Sequence, residues 1–128
     1  MRYLVTGPPG SGKTTWVKTV AKPGDIVWDA DAVKASLTGE DPHTERPDLL
    51  PLLEAWFDSL ARYLRHHNPT GDVYVIRSCA DADEADQMRG LIRAHVITLD
   101  PGKHVCLARC RDRSPAVAAA IERWYARR

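Results

Sequence analysis

Eight consecutive residues near the N-terminus have the types and spacing to grip a phosphate chain: Gly7-Pro8-Pro9-Gly10-Ser11-Gly12-Lys13-Thr14. Glycines let the backbone turn so that successive N–H groups point inward at one anion. A helix starting near Lys13 aims the positive end of its dipole at the same point. In such a loop the lysine reaches the β- and γ-phosphates, and the Thr14 hydroxyl binds Mg²⁺. The alternative is a glycine turn beside a coincidental lysine. The flanking pattern argues against it, with a strand before the loop and a helix after it.

A second group of reactive side chains follows in Val27-Trp28-Asp29-Ala30-Asp31-Ala32-Val33-Lys34. Two acids at the C-terminal end of a strand stand where ligands bind in an open parallel sheet. One acid there can support Mg²⁺ through water, and the other can accept a proton from an attacking hydroxyl. Asp is also a common helix N-cap, so either residue has a plain structural use as well. Further on, Arg109-Cys110-Arg111-Asp112-Arg113 ends one helical stretch and leads into a break before Ser114-Pro115. Arginines on a segment above a triphosphate, here about 109–115, can offset transition-state charge and exclude water. A solvated basic face is the competing reading. Arg77, at the end of a strand on the same edge, is either a substrate or phosphate contact or one half of an ion pair.

The elements that must position these groups are legible in outline. Apolar runs predict strands over Arg2–Thr6, Asp25–Trp28, Asp72–Arg77 and His95–Leu99. Helical patterns lie between and after them, over Lys13–Ala21, Asp31–Leu37, Leu49–His66, Asp83–Arg93, His104–Cys110 and Ala116–Arg127. The longest carries an apolar stripe at Leu49, Leu52, Leu53, Trp56, Leu60 and Leu64. Alternating strands and helices predict βαβ units around a parallel sheet. The strand Val73-Tyr74-Val75-Ile76 runs into Arg77-Ser78-Cys79 with no acid at its end; the nearest, Asp81, comes later. That absence, with no guanine-specifying Asn-Lys-x-Asp stretch, disfavours motor ATPases and switch GTPases.

Composition bounds the rest. The 128 residues fit one domain, read as 1–128. Lys and Arg number 18 against 17 Asp and Glu, a net charge of +1, so a polyanion site needs local clustering. The arginines near the C-terminus are the one cluster of that kind. No stretch is long and apolar enough for a membrane span or signal peptide, which makes a cytoplasmic location the expectation. Cys79, Cys106 and Cys110 form no CxxC pair and read as small buried thiols. Trp16, Trp28, Trp56 and Trp124 are expected to pack between helices and sheet. The five histidines have no metal-ligand spacing.

Taken together, these residues resemble the bacteriophage-type polynucleotide 5′-hydroxyl kinases and their small relatives in the P-loop kinase superfamily. Gly10-Ser11-Gly12-Lys13-Thr14-Thr15-Trp16 is similar to that family's loop, which implies ATP contacts from Gly10 through Thr15. Asp31-Ala32-Val33-Lys34 is similar to the family's Asp-x-x-Arg, which implies Asp31 as general base and Lys34 as substrate-phosphate contact. The run from Arg109 to Arg113 resembles the arginine lid, with Arg113 in the position of the main catalytic arginine and Arg109 on ATP. Asp29-Ala30-Asp31 also resembles the Asp-x-Asp of shikimate-type kinases, whose first Asp assists Mg²⁺. Lys34 stands where the family has arginine, and Arg77-Ser78 where it has an acid touching the acceptor.

The resemblance implies a three-layer α/β P-loop kinase fold, with a short parallel sheet ordered 2-3-1-4 and helices on both faces. It implies transfer of the ATP γ-phosphoryl group, with Mg²⁺, to a polynucleotide or nucleotide hydroxyl. A small-metabolite or nucleoside acceptor is the alternative, favoured modestly by the near-neutral charge. An ATP-binding adaptor that transfers nothing is the third reading.

Overall fold

A computed structural model describes residues 1–128. Four strands, β1 (Arg2–Thr6), β2 (Ile26–Asp29), β3 (Val73–Ile76) and β4 (His95–Thr98), form one sheet in the order β2-β3-β1-β4. Every neighbouring pair is parallel. The expected order 2-3-1-4 is the observed one. Six α-helices connect and follow the strands: α1 (Lys13–Val20), α2 (Ala30–Thr38), α3 (Leu50–His66), α4 (Ala82–Ile92), α5 (Lys103–Arg109) and α6 (Pro115–Ala126).

Side-chain parity explains the layers. Successive strand residues point to opposite faces, and here they feed two separate cores. Leu4, Val73, Val75 and Trp28 pack with Phe57, Ala61 and Leu64 of α3 and with Ala85 and Ile92 of α4. Val5, Tyr74 and Ile76 pack on the other face with Val17 of α1. β3 is therefore covered on both sides, and all four of its residues are buried. An uninterrupted apolar run is what such a strand requires. The register sets Leu4 beside Val75 and Val75 beside Trp28, so one layer of large side chains crosses three strands.

Two expectations are corrected. The buried stripe of α3 is Leu53, Phe57, Ala61 and Leu64, whereas Leu52 is 42% exposed and Trp56 47% exposed. The helix carries apolar residues on two adjoining faces. The face that meets β3 is the one whose i, i+4, i+8 and i+11 positions are all apolar, which turns Trp56 outward. β2 also runs one residue later than expected. Asp25 stays outside it because its carboxylate accepts the Lys22 and Asp72 backbone N–H groups at 2.8 and 2.9 Å.

Candidate active site

The phosphate loop joins β1 to α1, and its glycines have the backbone conformations the turn demands. Gly10 and Gly12 have φ of +78° and +91°. Gly10 also lies hard against α5: a Cβ there would stand 2.7 Å from Cys110 Sγ and 3.0 Å from the Cys106 carbonyl oxygen. The buried thiols of Cys106 and Cys110, packed with Ile121 of α6, thus form the floor beneath the loop. Gly10→Ala combines a left-handed strain of about 1–2 kcal/mol with this overlap. Thermal unfolding should show Tm falling by at least about 5 °C; an unchanged Tm would contradict the packing described.

Lys13, the first residue of α1, folds back over the loop. Its ammonium donates to the carbonyl oxygens of Gly7 at 2.8 Å and Pro8 at 2.9 Å. Burial lowers its pKa to about 8, opposed in part by nearby Cys106, Asp29 and Asp31. Phosphate binding needs the protonated form. Nucleotide affinity should therefore be level from pH 7 to 7.5 and fall about tenfold per pH unit once pH passes 8, with proton uptake on binding. Titration calorimetry in buffers of different ionisation enthalpy measures both quantities; a flat profile to pH 9.5 would refute the assignment.

The two acids have divided their work. Asp29 ends β2 and caps α2, its Oδ1 accepting the Asp31 N–H at 3.1 Å, while its Oδ2 accepts the Thr14 hydroxyl at 2.8 Å. Asp29 is thus the α2 N-cap and at the same time faces Thr14 of the loop. Asp31, on the first turn of α2, has a side chain 58% exposed, and Lys34 is its single polar side-chain neighbour at 3.5 Å. Lys34 is only 12% exposed along its side chain and takes no place in the cleft wall. Its ammonium faces Asp31 instead.

These groups share one cleft of about 1560 Å³ at the C-terminal edge of the sheet. The loop residues Gly10 to Thr15, Asp29, Asp31, Arg77, Arg109 and Arg113 all line it. Arg109, closing α5, donates to the Gly10 carbonyl oxygen at 3.1 Å. Arg113 lies in the turn before α6, its guanidinium 3.0 Å from His43 Nε2. Beside it the Ser114 hydroxyl donates to Glu45. The segment joining α2 to α3 thus meets the arginine turn over the cleft mouth.

His43 and Glu45 carry no spacing signal in the sequence, because their partners lie about seventy residues away. Leu50, Leu53, Glu54 and Phe57 line the cleft from α3 at i, i+3, i+4 and i+7, one face of the helix; of these, the apolar stripe expected from the sequence holds only Leu53.

The donor set suits a hard cation that keeps most of its own shell. No cluster of three or more His, Cys, Asp and Glu side chains converges in the chain. A hydroxyl and carboxylate already joined beside a phosphate loop leave the other ligands to phosphate oxygens and water, the habit of Mg²⁺. Asp81 serves elsewhere, capping α4 by accepting the Glu84 N–H at 2.9 Å.

Sheet order and loop give the chain an α/β fold of the P-loop kinase-like kind. A family model described as an AAA domain matches residues 3–128, and the chain belongs to that family. Among solved structures, a chain of the Pnkp1/Rnl/Hen1 RNA repair complex is similar with a TM-score of 0.71 and 14% identity. The match covers 98% of this chain and 43% of that one, so the chain spans less than half of that protein's length. A gluconokinase from Sinorhizobium meliloti 1021 matches with a TM-score of 0.56 and 20% identity over 95% of this chain and 73% of that one. The Deinococcus radiodurans tunicamycin resistance protein matches at 0.52 and 22% over 97% and 78%. At these identities the likeness is one of fold. No curated protein matches the sequence. No helix is long and apolar enough to cross a membrane.

Proposed function

We propose that this chain is an ATP-dependent phosphotransferase that moves the γ-phosphoryl group to a hydroxyl acceptor. The observation that carries this reading is the placement of Asp31: a solvent-reachable carboxylate in the same cleft as Lys13, two residues beyond the Asp29 that pairs with Thr14. Nucleotide phosphates lie along the N–H groups of the loop, with contacts from Gly10 to Thr15 and from Arg109. Thr14 and Asp29 would hold Mg²⁺, which when bound would supply neutralisation of phosphate charge. Asp31 takes the proton of the acceptor hydroxyl as its oxygen bonds to the γ-phosphorus. The bond from that phosphorus to the β-phosphate oxygen breaks, and ADP leaves. Lys13 and Arg113 offset charge on the transferring group. To do so, Arg113 exchanges His43 for phosphate as the arginine turn settles over the cleft.

Two acceptor classes fit this frame, a nucleic-acid or nucleotide hydroxyl and a small metabolite. The RNA repair likeness supports the first, and the gluconokinase likeness the second. An adaptor that holds ATP without transfer has no use for a cleft-facing, largely exposed carboxylate at Asp31. Dependence on ATP fits a cytoplasmic setting. The test is incubation with γ-labelled ATP and a panel of 5′-hydroxyl oligonucleotides, nucleosides, sugars and hydroxy acids. Label should appear on a hydroxyl of at least one class and never from α-labelled ATP; nucleotide binding with no labelled acceptor would overturn the reading.

A further inference from the structure

We propose that Arg77 anchors an oxyanion of the acceptor, so that the hydroxyl substrate is a small alcohol bearing one carboxylate or phosphate group. This rests on the phosphotransferase reading above and narrows it. Each of the other half-buried lysines and arginines has a polar partner: Arg2, Lys13, Lys34, Arg46, Lys103 and Arg113. The Arg77 side chain alone among them has neither hydrogen bond nor ion pair; its guanidinium lies over the Phe57 ring, 4.9 Å from the centroid. The ion-pair alternative open from sequence is therefore closed.

A guanidinium has five N–H donors, and partial burial strips water from them without supplying a replacement. Phe57 is itself 4% exposed, a fixed platform that holds the guanidinium in place and leaves its donors free. That planar fork matches the two oxygens of a carboxylate or phosphate. Placement gives the anion a purpose. Asp29 pairs in register with Ile76, so Arg77 and Asp31 leave the ends of adjacent strands and line the same cleft. An acceptor held at Arg77 has its other end within the space that Asp31 serves.

The surrounding charge limits the acceptor to one anion. Residues 29–58 carry eight carboxylates against Lys34 and Arg46, a net of −6, and Arg46 is held by Glu40 and Asp48. Of the eight, Asp29, Asp31 and Glu54 line the cleft itself. Residues 102–128, which bear the arginine turn, carry seven cations against Asp112 and Glu122, a net of +5. The nucleotide side is basic and the acceptor wall acidic. A polyanionic strand crossing that wall is repelled along its length, whereas a single anion reaching past it is met by Arg77.

Calorimetric titration of the protein saturated with Mg²⁺ and a non-hydrolysable ATP analogue tests this. The titrants are sugar acids and hydroxy acids, sugar monophosphates, neutral polyols and nucleosides of matched size, and 5′-hydroxyl oligonucleotides. At least one acid should bind about tenfold or more tightly than its neutral counterpart, and the carboxylate and phosphate arms identify which oxyanion fits. Arg77→Met should weaken that acid about fiftyfold, and Arg77→Lys should recover part of the loss as a charge without the fork. Both variants are compared only after their Tm confirms folding. Preference for neutral alcohols or oligonucleotides, no preference at all, or unchanged acid affinity in folded Arg77→Met each overturns the proposal. Binding of the analogue itself, lost in Lys13→Ala, reports on the underlying reading. If the analogue fails to bind wild-type protein, both fall; if it binds and neutral alcohols win, only the oxyanion anchor falls.

Discussion

Asp31→Asn should lower phosphoryl transfer about a thousandfold while nucleotide affinity stays within about twofold of wild type. Asparagine keeps the shape and leaves the α2 cap intact, because the cap is made by the Asp29 carboxylate and the Asp31 backbone N–H. It removes the carboxylate basicity on which the proposed proton transfer depends. Lys34, 3.5 Å from Asp31 Oδ1, loses its partner, but at a site whose acid is 58% exposed this costs little stability. The expected signature is a fall in kcat with Tm and nucleotide Kd nearly unmoved. Wild-type rates in the folded variant would remove Asp31 from the chemistry and leave Asp29, committed to Thr14, as a poor substitute.

Lys13→Met should have the opposite character, abolishing measurable nucleotide binding while stabilising the free protein. Below pH 8 the folded chain holds a largely buried ammonium whose pKa is lowered to about 8, whereas the unfolded chain keeps the ordinary value of 10.5. The unfolded state therefore binds that proton more tightly. The penalty on folding is full below pH 8 and fades between pH 8 and 10.5. At 1.36 kcal/mol per pKa unit its ceiling is about 3 kcal/mol, against about 1–2 kcal/mol for the bonds given up at Gly7 and Pro8. Tm at pH 7 should rise by about 3–8 °C, and the gain should vanish by pH 10. A lower Tm for the variant at pH 7 would mean that the ammonium holds the loop together rather than straining it. Strain of this kind marks functional sites, where a group is kept for its ligand at some expense to the fold.

How much of this was readable beforehand follows from which interactions are local. The phosphate loop and the acids at the end of β2 depend on residue type and short spacing, and the sequence carries them plainly; the strand order follows instead from the family resemblance. β3 announced itself because Val73 to Ile76 are buried on both faces and leave no polar alternation to misread. α3 starts one residue later than the expected Leu49–His66, and its buried face is turned by one residue, because Leu52 and Trp56 compete with Leu53 and Phe57 and only the sheet decides between them. The contacts of Arg113 with His43 and of Ser114 with Glu45 join segments far apart in the chain, so no spacing rule could reveal them. Arg77 was visible as a charge at a strand end; that it has no carboxylate partner is a property of the folded molecule alone. Lys34, given a substrate role by resemblance, has its ammonium beside Asp31 and is not among the residues of the cleft wall, a placement only the folded chain reveals.

The central claim is transfer from nucleotide to hydroxyl, and the ratio of products tests it most directly. Rapid-quench reaction of the wild-type protein with Mg²⁺ and γ-labelled ATP, in the presence of the acceptor panel, yields both ADP and labelled acceptor. One acid-stable phosphoryl group on an acceptor hydroxyl for each ADP formed is the predicted result. ADP accompanied only by inorganic phosphate, or bound ATP that stays intact with every acceptor, would contradict it.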